Sequence, residues 1–262
     1  MKKFILLFIA TVVSVASYAT DFPLRKKYST VKTISTSALH AEFENVTIID
    51  VLSAFEYDVI KMKNAKNNLV SDMGFIKRLH KMVPDKSTKV VFYCNGITCA
   101  KSYKATLAAM SGGYTNVFAY DSGIFQWTKA HPDKAVLLGE SPVNPKHIIS
   151  KKQFQSKLLD KTRFEKGVAS EDAFLVDVRD GLQRVKTPKF KKTARKIPFD
   201  RLAKELNAED FMKQISGKTL YVMDAVGKQV RWLQYSLEAK KVNYFFLKNG
   251  VWAYFGSKGA VK

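Results

Sequence analysis

A repeated pattern constrains the fold of this 262-residue chain more than any other feature of its sequence. Three landmarks recur in the same order at offsets of 127, 130 and 127 residues: an aspartate that ends an apolar run (Asp50 and Asp177), the residue after a second apolar run (Cys94 and Asp224), and a glycine that opens an aromatic segment (Gly123 and Gly250). Nearly constant spacing over an ordered set predicts a duplicated domain.

Each copy alternates short apolar runs with helical patterns. The run 89–93 is followed by a helical pattern at 100–110, and the run 219–223 is followed by one at 230–239. Continuous apolar strands that alternate with helices are typical of a parallel sheet covered on both faces. The predicted fold class is therefore α/β, with a parallel sheet flanked by helices in each copy.

The N-terminus has the three parts of a secretory leader. Lys2 and Lys3 form the charged part, residues 4–15 are apolar, and residues 17–19 are a small-residue cleavage site. The apolar run is shorter than the roughly 20 residues that a membrane-spanning helix needs. We therefore predict an exported, periplasmic protein that loses residues 1–19 and keeps no stable membrane span.

One stretch between the two copies has the composition of a linker. Residues 137–147 contain glycine, serine and proline, which is typical of a connecting segment. It separates a predicted first domain at 20–136 from a predicted second domain at 148–262.

The chain is strongly basic. Lysine and arginine number 44 and aspartate and glutamate number 23, so the formal net charge is +21. This charge favours anionic partners, although a solvated lysine-rich face has the same composition. Without a zinc-finger, helix-turn-helix or RNA-binding motif, we predict no nucleic-acid partner. The charged segment 184–196 has the same two interpretations, a docking patch or a solvated loop.

Both cysteines lie in one short loop between a predicted strand and a predicted helix. This cysteine loop comprises Cys94, Asn95, Gly96, Ile97, Thr98 and Cys99. It falls at the carboxyl end of a strand, where ligands of α/β sheets collect. Backbone amides in such a turn form an anion cradle, and the N-terminus of the next helix adds partial positive charge. Lys101 and Lys104, in the first turn of that helix, are candidate anion-binding residues.

This setting predicts a lowered pKa for Cys94 and a thiolate that attacks sulfur or carries a terminal sulfur atom. Neither a metal nor a cofactor is predicted. Two cysteines at this spacing, without a histidine in the loop, fall short of a four-ligand metal site.

Taken together, these residues resemble the tandem rhodanese-like (thiosulfate sulfurtransferase) family over roughly residues 32–256. The residues that carry the resemblance are Asp50-Val51, Glu56-Tyr57, the loop from Cys94, Gly123-Ile124 and Trp127 in the first copy, and 175–179, Ile197-Pro198, the loop from Asp224 and 250–252 in the second. The resemblance implies two rhodanese-like domains. It also implies that Cys94 takes sulfane sulfur from a small anionic donor, such as thiosulfate, and passes it from a persulfide to a thiol or to cyanide. The amides from Asn95 to Cys99 would then cradle the persulfide.

Three positions depart from the family pattern. Cys99 stands where the family often has an arginine that binds the donor, and Leu52 stands where the Asp-Val-Arg signature has its arginine. Asp224 stands where the first copy has Cys94. A carboxylate cannot form a persulfide and repels an anionic donor, so the second copy is predicted to be inactive.

The role of Cys99 stays open between three interpretations. It attacks a Cys94 persulfide and releases sulfide, it forms a resting disulfide in an oxidising compartment, or it is inert. Two other functions also remain, a thiol–disulfide redox protein that uses Cys94 and Cys99, and a binding module without turnover. The sequence names no protein partner and no oligomeric state.

Overall fold

The computed structural model describes residues 21–256, which form two parallel β-sheets with helices packed on their faces. The predicted α/β class is confirmed. The predicted leader, residues 1–19, lies outside the described residues.

The strands and helices alternate along most of the chain. The strands are β1 (Thr47–Asp50), β2 (Ile60–Met62), β3 (Lys66–Asn67), β4 (Val90–Tyr93), β5 (Val117–Tyr120), β6 (Ala135–Leu137), β7 (Leu158–Leu159), β8 (Ala173–Asp177), β9 (Arg195–Lys196), β10 (Thr219–Met223) and β11 (Asn243–Leu247). The helices are α1 (Thr36–Ala41), α2 (Ala54–Val59), α3 (Phe75–Met82), α4 (Lys101–Ser111), α5 (Gly123–Ala130), α6 (Lys151–Ser156), α7 (Lys161–Val168), α8 (Phe199–Glu205), α9 (Glu209–Ile215), α10 (Val230–Ala239) and α11 (Gly250–Tyr254). Short 3₁₀ turns lie at Phe43–Asn45, Pro132–Lys134 and Pro145–His147.

The two parallel sheets have the same strand order. The first sheet runs β3-β1-β4-β5, and Thr33 forms a parallel bridge with Ala119 on the outer side of β5. The second sheet runs β7-β11-β10-β8-β9. With the Thr33 bridge in the place of β7, the two orders agree strand for strand. The repeat in the sequence therefore corresponds to a repeat in topology.

The central strands are apolar because both of their faces are covered. All four residues of β4 are buried, and four of the five residues of β10 are buried. Helices α4 and α10 follow these strands, at the positions that the helical patterns predict. Each pair of elements leaves a loop at the carboxyl end of its strand, and these two loops are the sites of interest.

A small antiparallel ribbon ties the end of the first repeat to its middle. Ile60 pairs with Leu137 and Met62 pairs with Ala135, and all four side chains are buried. Leu137, which opens the predicted linker, is therefore part of strand β6.

Aromatic side chains join the two halves of the molecule. The rings of Phe55 and Phe199 pack edge to face, with centroids 4.4 Å apart. Phe125 of α5 stacks on Trp232 of α10 at 5.4 Å. The hydroxyl of Tyr235, also on α10, accepts a hydrogen bond from the Ile149 amide at 3.2 Å. Helix α10 therefore packs against the half that carries the cysteines.

Within residues 21–256, no helix combines the length and the apolarity that a membrane span requires.

Candidate active site

The cysteine loop connects the carboxyl end of β4 to the first residue of α4. It turns tightly, since the Cys99 amide donates to the Gly96 carbonyl at 2.9 Å. The Cys94 carbonyl accepts from the Ile124 amide, also at 2.9 Å, which ties the loop to the start of α5. The loop therefore lies where the sequence predicts it, between the carboxyl end of β4 and the N-terminus of α4.

A contact between two glycines fixes the loop against α5. Gly123 has φ +75°, and a Cβ on this residue would lie 2.3 Å from the Gly96 amide nitrogen. No side chain fits at that distance, and the left-handed backbone also disfavours other residues. Gly250 repeats this arrangement in the second half, where a Cβ would lie 2.5 Å from the Val226 amide nitrogen.

The Cys94 side chain points inward, between the sheet and α4. It has no exposed surface. Its thiol donates to the Cys99 carbonyl at 3.3 Å and lies 3.6 Å from the Ser102 hydroxyl, which is itself fully buried. Both cysteines are free thiols.

The prediction of a lowered pKa for Cys94 is wrong for this structure. Burial raises the pKa of the Cys94 thiol well above its usual range, because the thiolate would lose its hydration inside the protein. The Ser102 hydroxyl and amide oppose this shift but do not outweigh it. The sequence showed where the loop lies but not which way its first side chain points.

Cys99 carries the more acidic thiol of the pair. It is half-buried, and its pKa is lowered to about 6, chiefly by the neighbouring Cys94 thiol. The backbone amides of Lys101 and Asn95 favour its thiolate further, as does the positive charge of Lys101. The local cradle of amides therefore serves Cys99, and not Cys94 as predicted.

The remaining loop residues form the mouth of the site. Asn95, Gly96 and Ile97 are half-buried, and Thr98 is exposed. The amide of Cys99 is already bonded to the Gly96 carbonyl, so it does not face a ligand.

The two candidate lysines have different surroundings. The ammonium of Lys101 lies 3.4 Å from a Glu56 carboxylate oxygen, and that carboxylate also accepts from the Ser53 amide at 2.9 Å. Lys104 is exposed one turn further along α4. Lys101 is therefore held next to the loop by an ion pair, whereas Lys104 only adds charge at the surface.

The strand-end aspartates differ in one partner. Asp50 accepts from the Leu52 amide at 2.8 Å, and Asp177 accepts from the Arg179 amide at 3.2 Å, so both carboxyl groups bond a backbone amide two residues later. The Arg179 guanidinium also forms a two-pronged pair with Asp177, at 2.9 and 2.8 Å. Leu52, which takes the place of Arg179 in the first half, has no side-chain group that can pair with Asp50. In the part of the chain that the structure describes, Asp50 Oδ2 is buried without a partner, and burial raises the pKa of Asp50 to about 7.

In the second loop, residues 224–229 and Val230, backbone amides bond the Asp224 carboxyl group, and we call residues 224–229 the carboxylate loop. The Asp224 carboxylate accepts from the amides of Gly227 at 2.5 Å, Gln229 at 2.9 Å and Val230 at 3.4 Å. Its side chain has no exposed surface. The amide cradle that the sequence predicts around a bound anion is therefore present in this loop, and a side chain of the chain itself fills it.

Ser102 is a site residue that the sequence did not single out. Its position eight residues after Cys94 places it in the first turn of α4, on the face towards the sheet. The sequence signal that could have identified it is a small polar residue at a position of the helical pattern that is expected to be buried. Within residues 21–256, no group of three or more His, Cys, Asp or Glu side chains could hold a metal ion.

Comparison with known protein families gives a match in the first half of the chain. Residues 35–130 match the family profile of the rhodanese-like domain. A search of curated protein sequences gives no match.

Solved structures with a similar backbone include three bacterial proteins. The BH2092 protein of Bacillus halodurans is 15% identical, with a TM-score of 0.39, and the match covers 50% of this chain and 94% of that one. A thiosulfate sulfurtransferase from Pseudomonas aeruginosa is 17% identical, with a TM-score of 0.39, over 88% of this chain and 46% of that one. A rhodanese from E. coli solved with anions is 28% identical, with a TM-score of 0.26, over 30% of this chain and 86% of that one.

Proposed function

With the rhodanese-like domain at residues 35–130 as the premise, we propose that this protein is a sulfurtransferase and that Cys94 stores the transferred sulfur as a persulfide. The observation that carries the proposal is the placement of both thiols in one loop at the carboxyl end of β4, inside that domain. The side chain of Asp224 occupies the corresponding loop of the second half, so one loop of the two is available for chemistry.

The reaction is a double displacement on sulfur. A thiolate attacks the sulfane sulfur of a donor such as thiosulfate, the donor's sulfur–sulfur bond breaks, and sulfite leaves with the electron pair. The resulting persulfide then gives its outer sulfur to a thiol or to cyanide, and the cysteine is released as a thiolate. Electrons and atoms balance without a cofactor.

The surroundings of the loop suit a small anionic donor. Lys101 lies beside the loop, and the N-terminus of the 11-residue helix α4 faces it. No arginine stands at the last position of the loop, because Cys99 occupies it. We therefore propose persulfide or polysulfide anions as donors alongside thiosulfate, because they have no oxyanion group that an arginine would need to bind.

The test is sulfur transfer by the reduced protein without its leader, from thiosulfate and separately from glutathione persulfide, to cyanide. Cys94→Ser and Cys99→Ser run beside it. We expect turnover by the wild type and clearly slower turnover by Cys94→Ser. Turnover by Cys94→Ser at the wild-type rate would refute storage on Cys94.

A second candidate function, thiol–disulfide exchange, is favoured by the contact between the Cys94 thiol and the Cys99 carbonyl at 3.3 Å together with the low pKa of Cys99. A redox role would show as exchange with dithiol substrates that both single serine variants abolish, with no transfer of sulfur to cyanide.

We also propose that the protein acts outside the cytoplasm, where residues 1–19 would direct it. The proposed partners are a small sulfur donor and a thiol acceptor. Protease protection and fractionation of cells that produce the full chain test the location directly.

A further inference from the structure

We propose that Cys99, and not Cys94, is the residue that first takes sulfur from the donor, and that the sulfur then moves inward to Cys94. This inference rests on the proposed sulfurtransferase function and adds an order of events to it. It assigns separate roles to the two thiols, entry for Cys99 and storage for Cys94.

Access to solvent separates the two thiols. Cys94 has no exposed surface, whereas Cys99 is half-buried and follows the exposed Thr98. A donor that arrives from solution therefore meets the Cys99 sulfur before it meets Cys94. Direct attack by Cys94 would require the loop to open first.

The proton lies on the inner thiol. The Cys94 thiol donates a hydrogen bond to the Cys99 carbonyl at 3.3 Å, so Cys94 is protonated in this arrangement. Cys99 has the lower pKa of the two, about 6, because the Cys94 thiol and nearby backbone amides favour its thiolate. Only a thiolate is an effective nucleophile towards sulfane sulfur. The residue with access is thus also the residue with the reactive form.

The same asymmetry favours passage of the sulfur inward. In the first step the Cys99 thiolate bonds to the sulfane sulfur of the donor, and sulfite leaves when thiosulfate is the donor. In the second step Cys94 attacks the outer sulfur of the Cys99 persulfide. The bond between that sulfur and Cys99 breaks, and the proton of Cys94 passes to the Cys99 sulfur. The net change is that one sulfur atom moves from Cys99 to Cys94 without oxidation or reduction.

A thiol of low pKa is the better leaving group in such an exchange, and a thiol of high pKa is the better nucleophile once its proton is removed. Cys99 and Cys94 have these respective characters. The sulfur would then be held on Cys94, beside the buried Ser102 hydroxyl.

The experiment follows a single loading of the reduced, leaderless protein with thiosulfate, quenched at successive times by an alkylating reagent. Cleavage with trypsin yields the peptide Val90–Lys101, which contains both cysteines, and fragment ions between Gly96 and Thr98 assign the extra sulfur to one of them. The double variant Cys94→Ser/Cys99→Ser gives the zero level, and glutathione persulfide replaces thiosulfate in a parallel series.

We expect the wild type to show the extra sulfur on Cys99 first and on Cys94 later. Cys94→Ser should still load Cys99, although more slowly because it lacks the Cys94 thiol that lowers the pKa of Cys99, and should keep the sulfur there. Cys99→Ser should load Cys94 more slowly by at least about tenfold, because its thiol is buried and protonated. Loading of Cys94 at the wild-type rate in Cys99→Ser would overturn the inference and leave the proposed function intact. If neither cysteine forms a persulfide with either donor, the proposed function itself is refuted.

A second measurement does not depend on variants. Iodoacetamide should alkylate Cys99 of the native wild type with a pH midpoint of about 6, while Cys94 reacts only after unfolding. Faster alkylation of Cys94 than of Cys99 in the native protein would contradict the assignment.

Discussion

Gly123 lies against Gly96 so closely that a single added carbon atom would stand 2.3 Å from the Gly96 amide nitrogen. The start of α5 and the cysteine loop are therefore one packed unit. The position of the loop depends on a residue that is distant in the sequence and carries no functional group.

Gly123→Ala should destabilise the protein by about 2–4 kcal/mol and displace the cysteine loop, because the methyl group meets backbone atoms at a positive φ. Urea unfolding measures the stability, and the rate of Cys99 alkylation reports the loop. Gly181→Ala is the control, since a Cβ there meets nothing within 4 Å. Equal effects of the two substitutions would contradict the packing argument.

Asp50 should make the stability of the protein depend on pH near neutrality. Its folded-state pKa is raised from 3.8 to about 7, so the folded state holds the proton that the unfolded state has lost. The associated stability is complete below pH 3.8 and is lost as the pH rises through about 7. Asp50→Asn lacks this titration. Its free energy of unfolding should therefore rise relative to that of the wild type by about 3 kcal/mol when the pH is raised from 5 to 8.

Urea titrations of both proteins at pH 5 and pH 8 test the Asp50 prediction. The exposed Asp58→Asn serves as the control and should show no such gain. A constant difference between Asp50→Asn and the wild type at the two pH values would be evidence against a buried, proton-binding Asp50.

Arg179 should hold the segment that follows it in its folded position. Besides pairing with Asp177, its guanidinium donates to the carbonyls of Gln183 at 3.0 Å and Lys186 at 2.8 Å. Arg179→Met leaves a buried carboxylate without its main partner, so we expect a loss of about 3–5 kcal/mol and faster tryptic cleavage within 184–196. The exposed Arg201→Met, which breaks only an i,i+4 pair with Glu205, should cost about 0.5 kcal/mol or less. Similar costs for both variants would disprove the anchoring role.

Removal of the Asp224 carboxylate should create an anion site. Asp224→Ala leaves the amides of Gly227, Gln229 and Val230 without their acceptor, at a cost of about 1–3 kcal/mol. Sulfate or phosphate that enters the empty cradle should restore part of this stability, seen as a rise in melting temperature that exceeds the rise for the wild type. The exposed Asp210→Ala should respond to sulfate as the wild type does. No additional response of Asp224→Ala to either anion would show that the cradle collapses.

Much of the architecture could be read from the sequence because apolar runs and helical periodicity are local signals. The strands β1, β4, β8 and β10 and the helices α4 and α10 all carried such signals. The β2–β6 ribbon did not, since Ile60 and Leu137 pair across more than half of the first repeat. Short strands of three residues acquire their identity only from the partner they meet.

The chemistry of the site was less predictable than its position. The loop, its helix and its two thiols were evident, yet the pKa of each thiol depends on which way its side chain points. Cys94 turns into the interior towards Ser102, and Cys99 stays near solvent and the Lys101 amide. The replacement of an arginine by Leu52 was visible too, but its effect on Asp50 appears only when burial is known.

The stack of Phe125 on Trp232 gives the protein a built-in optical reporter. Phe125 lies two residues after Gly123, whose backbone touches the cysteine loop, and its ring centroid is 5.4 Å from that of an indole in the other half of the chain. A shift of the loop on taking up sulfur would be passed through α5 to this indole. Its fluorescence would then follow the loading of a thiol that no solvent-borne dye can reach.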